Sequence, residues 1–277
     1  MSSNVVFDNR VIGSKFQDLL VTALNARNFM TIDTELAEAP GMYKTVNTYV
    51  NTAGTVEELG EGYGNTSTGT VEFVSKDYRV LCAQYRFMFS DEDVLKDPKV
   101  VDAHTKFASE KVANYLTSKF YGALDTVVGG EGADADDFVV HSVEIAANKH
   151  ISYDVVVDAL DYLNFEKEDE LFLLIPNSWK KYIRKDEDFK AARMGEILFT
   201  GQIGTIAGIP VICTKALNSL EEAFIMTKEA VTMFIKKESE VEDERDKDKR
   251  ENWYWTRQYF VCALTDATKV VRIVEAS

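Results

Sequence analysis

The sequence predicts a mixed α+β fold, and three features of its apolar pattern carry this prediction. Apolar and polar residues alternate with a period of two through residues 78–89, as in a β-strand with one packed face. A long apolar stripe at helical spacing runs from about Pro98 to Asp125. The C-terminal part is again rich in strand patterns, at 223–227, 230–235, 253–264 and 270–274.

The N-terminal third begins with a predicted helix at residues 16–27, set in polar, irregular sequence that is typical of an arm. Strand patterns follow at 45–51 and 71–76, and then at 78–89. Five of the fifteen glycines lie between residues 54 and 69. This order predicts a long β-hairpin whose distal part is flexible and polar.

The acidic triplet Asp91-Glu92-Asp93 precedes the long helix, and we interpret it as a helix start. Glycines at 129, 130 and 132 end the helix. The next part alternates between a helix capped by Ser152, a buried strand at 171–175, and a helix from Asn177 to Lys185. The glycine-bearing segment at 201–212 is predicted to be strand, turn and strand rather than a membrane helix.

Charge and cysteine content exclude several classes of protein. The 277 residues contain 31 basic and 46 acidic side chains, which gives a net charge of −15. Because phosphate backbones and anionic membranes bind clustered lysine and arginine, this balance argues against a nucleic-acid binder or a membrane-surface protein. Cys82, Cys213 and Cys262 form no CxxC pair, so we expect buried, reduced thiols.

No motif for catalysis, a cofactor or a metal is found. The three histidines lie in different elements, and none belongs to a metal-binding motif. The segment Gly60 to Asn65 lacks the third glycine of a dinucleotide motif and carries Glu61, which would repel a pyrophosphate. The acids at 134–137 lack the calcium ladder of an EF-hand. We therefore expect a protein with no catalytic residues, no cofactor and no metal.

Two further segments leave alternatives open. The run 236–251 mixes acidic and basic residues. It is interpreted as a solvated strand pair or loop, with an intermolecular salt-bridge surface as the alternative. The aromatic-rich segment around Trp253 and Trp255 is interpreted as a core strand with one packed face.

Three stretches of the sequence resemble the major capsid proteins of tailed bacteriophages, which have the Hong Kong 97-type fold. The first is Gly60-Glu61-Gly62 followed by the strands up to Phe89, which is similar to the family's extended hairpin, the E-loop. The second is the acidic triplet and the helix that follows, which resemble the spine helix. The third and most specific runs from Gly201 to Ile212 and resembles the return from the axial to the peripheral domain.

The resemblance implies an α+β Hong Kong 97-type capsid fold with five regions. These are an N-terminal arm (1–44), the E-loop hairpin (45–90), a peripheral domain with the spine helix (91–139), an axial domain (140–215) and peripheral β-strands (216–277). It implies two sets of site residues. Inter-subunit assembly residues of the E-loop are Val50, Gly54, Gly60, Gly62, Tyr63, Gly64 and Lys76, and residues of the axial-to-peripheral return are Gly201, Gly204, Gly208 and Pro210.

The resemblance also implies a function and partners. The chain would build hexamers and pentamers of an icosahedral shell around phage double-stranded DNA, without sequence-specific binding and without a membrane. A scaffolding protein, a portal and decoration proteins would be partners, and the virion would be its location after assembly in the bacterial host cytoplasm. We expect an unprocessed N-terminus. An encapsulin-like nanocompartment shell is the alternative in the same fold, and an acidic α+β enzyme is the alternative of another class.

Overall fold

This computed structural model describes residues 9–125, 140–146, 149–163, 170–185 and 204–275. The helices are α1 (Asn9–Ala23), α2 (Asp91–Lys96), α3 (Val100–Asp125), α4 (Tyr153–Leu163) and α5 (Lys180–Lys185). The strands are β1 (Thr31–Asp33), β2 (Tyr43–Ala53), β3 (Thr70–Arg79), β4 (Leu81–Ser90), β5 (His141–Ile145), β6 (Phe172–Pro176), β7 (Thr205–Ile206), β8 (Ile209–Thr214), β9 (Glu222–Met226), β10 (Val231–Asp246), β11 (Glu251–Leu264) and β12 (Val270–Glu275).

The long helix α3 lies where the apolar stripe predicts it, so this prediction is confirmed. Its buried face includes Val112, Leu116 and Phe120, none more than 3% exposed. The acidic triplet starts α2, a separate short helix. Ser90 accepts the backbone N–H of Asp93, and Asp93 accepts the backbone N–H of Ser90, which together make a capping box. The glycines at 129–132 lie outside the described residues.

The chain divides into two compact units, each built from three segments. The first unit comprises Met1–Lys44, Arg79–Ala123 and Val231–Ala263. It holds a four-stranded sheet with the order β1-β10-β11-β4. The face of α3 packs on this sheet, where the Tyr115 ring meets the Phe260 ring edge-on at 6.3 Å.

Strand β4 corrects one boundary of the predicted hairpin, which extended to residue 90. Residues 81–90 pair antiparallel with β11, from Leu81 opposite Phe260 to Ser90 opposite Glu251. The reason is burial: Ala83, Phe87 and Phe89 point to one side of β4 and are at most 5% exposed. A two-stranded hairpin offers no core for such a face.

The N-terminal segment also differs from the free arm that its polar sequence predicts. Helix α1 begins at Asn9 and ends at Ala23, earlier than expected, and buries Ile12, Phe16 and Leu20 within the first unit. Strand β1 pairs in parallel with β10. The apolar stripe of α1 therefore contributes to a core.

The charged run at 236–251 forms a solvated strand pair, which is the first of the two interpretations of its sequence. Strand β10 continues to Asp246, a four-residue turn follows, and β11 returns from Glu251. The aromatic segment packs one face of β11. Tyr254 and Phe260 are buried, whereas Trp253 and Trp255 on the other face are half-buried.

The second unit comprises Thr45–Tyr78, Leu124–Ala230 and Leu264–Ser277. It holds a six-stranded sheet with the order β5-β12-β9-β6-β8-β7. All five residues of β6 are buried. Helices α4 and α5 bury Val156, Ala159 and Ile183 in one cluster with Leu173 and Ile225 of this sheet. The second unit also contains β2 and β3, which pair as a separate two-stranded sheet.

The prediction of three buried thiols holds in full for one cysteine, holds in part for a second and is wrong for the third. Cys82 is exposed, Cys213 is half-buried and Cys262 is buried, and none is in a disulfide. Cys82 follows Leu81 on β4 and precedes the buried Ala83, so the alternation of the strand turns its side chain outward.

Candidate assembly site

The hairpin β2–β3 belongs to a sheet of two strands, so each strand has one edge without a strand partner within the described residues. Its side chains include large apolar groups in contact with solvent. Phe73 is 67% exposed, and Tyr49 and Val71 are exposed to a similar extent. A two-stranded ribbon with apolar side chains in water is marginal by itself, which is typical of a segment that binds another surface.

Gly54 and Gly69 lie against each other where the two strands end. A Cβ atom on Gly54 would lie 2.6 Å from the Cα atom of Gly69, and the φ angle of Gly54 is +111°. Both the close approach and the left-handed backbone require glycine at position 54. The two glycines allow the strands to lead into the distal loop at 55–68.

Side-chain hydrogen bonds cross this distal loop. The backbone N–H of Thr66 donates to Glu57 Oε2 at 2.8 Å, and the Thr66 hydroxyl donates to Oε1 at 2.6 Å. These bonds hold the pKa of Glu57 below its ordinary value of 4.5. The backbone N–H of Thr55 donates to the Ser67 hydroxyl at 2.7 Å. The sequence predicted a flexible, polar loop and missed these bonds.

The other residues predicted for inter-subunit assembly also lie on this hairpin. Val50 lies within β2, and Gly60, Gly62 and Gly64 lie in the distal loop with Tyr63, whose side chain is 79% exposed. Lys76 lies on β3, with its ammonium nitrogen 5.5 Å from the centre of the Tyr78 ring. Burial raises the pKa of Tyr78 to about 12. The Tyr78 hydroxyl donates to the Leu264 carbonyl at 3.4 Å, and this bond joins the base of the hairpin to the last segment of the second unit.

The residues at 204–210 form the predicted strand, turn and strand. Strands β7 and β8 pair antiparallel, with Ile206 opposite Ile209. Ala207 and Gly208 between them have φ angles of +48° and +85°, as in a tight two-residue hairpin turn. Pro210 lies on β8 opposite Thr205. Gly204 accepts the backbone N–H of Val211 at 3.0 Å, and Gly201 lies outside the described residues.

The described residues contain no group of three or more His, Cys, Asp or Glu side chains that could hold a metal ion. The carboxylates of the acidic triplet have structural partners: Arg245 of β10 donates to Asp91 at 2.8 Å, and Asp93 caps α2. Among the described helices, none has the length and apolar character that a bilayer crossing requires.

One surface of the first unit combines the charged run at 236–251 with the aromatic segment around Trp253. On β4 and β11, the guanidinium carbon of Arg86 lies 4.7 Å from the centre of the Trp253 ring. The Trp253 and Trp255 rings lie 6.5 Å apart. On neighbouring β10, four glutamates alternate with other residues at 238–244. The period of two in this charged run indicates that the four glutamates share one face of β10.

No protein-family model matches the chain, and no curated protein matches it. Solved structures do match over nearly the whole length. The capsid of the native GTA particle has 14% identity and a TM-score of 0.71, with 92% of this chain and 91% of that chain covered. A chain of Mycobacterium phage Che8 has 16% identity and a TM-score of 0.62, with 87% and 88% covered. A virus-like particle from Pyrococcus furiosus has 11% identity and a TM-score of 0.59, with 97% and 100% covered.

The chain has the Hong Kong 97-type capsid fold. The α+β fold class and the likeness to tailed-phage major capsid proteins are thereby confirmed at the level of the fold. The capsid fold extends over both compact units, because each match covers 87% or more of this chain.

Proposed function

We propose that this chain is the major capsid subunit of a tailed phage, a structural protein rather than an enzyme. The observation that carries the proposal is the capsid fold over nearly the whole length of both chains in each match. The subunit assembles into hexamers and pentamers of an icosahedral shell that encloses double-stranded DNA in the virion. A scaffolding protein, a portal and decoration proteins are its proposed partners, and assembly takes place in the bacterial host cytoplasm.

Within this proposal the five sequence regions keep their roles, with the hairpin ending at Arg79. The hairpin overlaps a neighbouring subunit through Val50, the glycines of the distal loop, Tyr63 and Lys76. Its exposed Phe73 and Tyr63 support this role, because aromatic side chains are enriched where proteins meet. The segment at 201–210 returns the chain from the axial to the peripheral domain.

The net charge of −15 supports a container for DNA. Like charges on the shell and on the DNA backbone repel over about 8 Å at physiological ionic strength. An acidic lining therefore lets packed DNA move during packaging and ejection.

Electron microscopy of the purified chain tests the proposal. We expect closed shells of uniform diameter, alone or with the scaffolding protein. A chain that stays monomeric under both conditions would refute it. A shell that holds protein cargo and no nuclease-protected DNA would favour the second candidate, a nanocompartment, which the match to the Pyrococcus furiosus particle over 97% of this chain supports.

Deleting residues 51–69 tests the role of the hairpin. The deletion removes the distal loop and the end of β2 but no residue of the two larger sheets. The subunit should keep its cooperative melting transition by circular dichroism and lose the ability to form stable shells. Normal shells from the deleted chain would contradict the assembly role of the hairpin.

A further inference from the structure

The hairpin formed by β10 and β11 carries a row of glutamates on β10 and three basic side chains in its turn. Glu238, Glu240, Glu242 and Glu244 point to one side of β10, because side chains alternate along a strand. We call these four residues the glutamate row. Their neighbours Ser239 and Val241 face α1 on the other side, where Ser239 bonds to Gln17 and Gly13 approaches Val241.

Only the middle of the glutamate row is neutralised within the described part of the chain. Glu240 pairs with Lys237, and Glu242 pairs with Arg257 at 2.7 Å. Glu238 and Glu244 are exposed and make no ion pair with any described residue. The two unpaired carboxylates, Glu238 and Glu244, lie about 20 Å apart along the strand, so each end of the row attracts positive charge separately.

The turn that joins the two strands has more basic than acidic residues: Lys247, Lys249 and Arg250 against Asp248. Lys247, Lys249 and Arg250, which we call the cationic tip, are all exposed and have no ion-pair partner in the described residues. The turn has a defined backbone, because Asp246 Oδ1 accepts the N–H groups of Asp248 at 3.0 Å and Lys249 at 3.2 Å. The tip therefore presents its charges without a large cost of ordering the turn.

The tip does not neutralise the row of its own hairpin. At about 3.3 Å per residue, Glu238 lies roughly 30 Å from Lys247 along the strand. Glu244 is nearer, at roughly 10 Å along the strand, but it too makes no ion pair with the tip. Within the described residues, each subunit thus has unpaired acidic side chains on β10 and unpaired basic side chains in the adjoining turn.

We propose that the cationic tip of one copy of this chain binds the glutamate row of a second copy. The inference rests on the proposed function, since shell assembly is what brings copies of the chain together. The two surfaces differ, so the contact is heterologous and repeats from copy to copy, closing into a ring when the rotation allows. Charge complementarity favours a second copy over nucleic acid, because the row beside the tip repels phosphates.

Charge reversal of each surface tests the pairing. K247E/K249E makes the tip acidic, and E238K/E244K makes the ends of the row basic without touching the two intrachain ion pairs. Each double variant should raise the protein concentration at which particles form by about tenfold or more, because attractive contacts become repulsive. The combined variant restores opposite charges and the net charge of −15, and it should assemble like the unmodified chain.

The matched control is K106E/K111E combined with E238K/E244K. Lys106 and Lys111 are exposed on α3 in the same unit, so this variant also has a net charge of −15 but cannot restore the pairing. It should stay defective in sedimentation assays, while circular dichroism shows all variants folded. Rescue by the control, or double variants that assemble normally, would overturn the pairing.

The outcomes separate this inference from the proposed function. An unmodified chain that forms no particles refutes the proposed function. Particles from the unmodified chain and equally good particles from both double variants refute the pairing alone. Normal particles that lose nuclease-protected DNA only when the tip is reversed would assign the tip to nucleic acid and overturn the pairing.

Discussion

Replacing Gly54 by alanine should open the hairpin at the point where β2 and β3 end. The φ angle of +111° is costly for any residue with a Cβ atom, by about 1–3 kcal/mol. The new Cβ would also lie 2.6 Å from the Cα atom of Gly69, and a backbone atom cannot move aside as a flexible side chain can. Together we expect about 3 kcal/mol, which is roughly a hundredfold in the opening equilibrium.

Hydrogen exchange of the hairpin amides measures this opening, because exchange follows the free energy of local unfolding. Two other glycines of the same loop serve as controls. Gly62 has a φ of +89° but open space around it, whereas Gly64 has open space and no left-handed backbone. Gly62→Ala should therefore show the backbone strain alone, and Gly64→Ala should leave exchange nearly unchanged.

The ranking of the three variants decides the argument. Equal exchange in Gly54→Ala and Gly64→Ala would refute the reasoning, because the close approach of Gly54 to Gly69 would then carry no cost. Exchange that rises equally in Gly54→Ala and Gly62→Ala would assign the whole effect to the backbone angle.

Three further predictions concern other parts of the molecule. A thiol reagent at pH 7 should label exposed Cys82 in the native protein and Cys262 only after denaturation, because burial raises the pKa of Cys262 to about 12. Mass spectrometry that shows equal labelling of Cys82 and Cys262 in the native protein would contradict this. Arg272→Ala should lower the free energy of unfolding in urea by about 3 kcal/mol, because Glu222 is 11% exposed and loses its paired cation; a loss under about 1 kcal/mol would mean that the pair behaves as a surface pair. Because the pKa of Glu57 is lowered in the folded loop, the Glu57 carboxylate stabilises the loop above pH 4.5, and this stabilisation is lost as the pH falls below 4.5. Hydrogen exchange of residues 55–67, corrected for intrinsic rates, should therefore rise below pH 4.5 in the native chain. The same rise in Glu57→Gln would contradict this reasoning.

Local patterns predicted the elements whose neighbours are close in sequence. The α3 helix follows from its apolar stripe and from Pro98 just before its first residue, all between residues 98 and 125. The turn between β7 and β8 follows from Ala207-Gly208. In both, the determining interactions lie within the segment itself.

Long-range pairing could not be predicted in the same way. The period of two predicts that residues 81–90 form a strand, but its partner β11 is some 170 residues away and leaves no local signal. The second half of β10 is a charged run that by itself is equally typical of a loop. It forms a strand because it pairs with β11. At the candidate site, the glycines predicted the hairpin. The hydrogen bonds between Glu57 and Thr66 could not be predicted, because they depend on the conformation of the closed loop.

The order of the segments also governs when this chain can fold. Each unit is built from three separate stretches, and β12, the last strand, lies between β5 and β9 inside the six-stranded sheet. A ribosome must therefore release the chain through residue 275 before β5 has its partner. Nascent chains, and chains truncated before β12, therefore lack a completed six-stranded sheet. A chain shortened by even its last strand would leave both β5 and β9 with an open edge where β12 belongs.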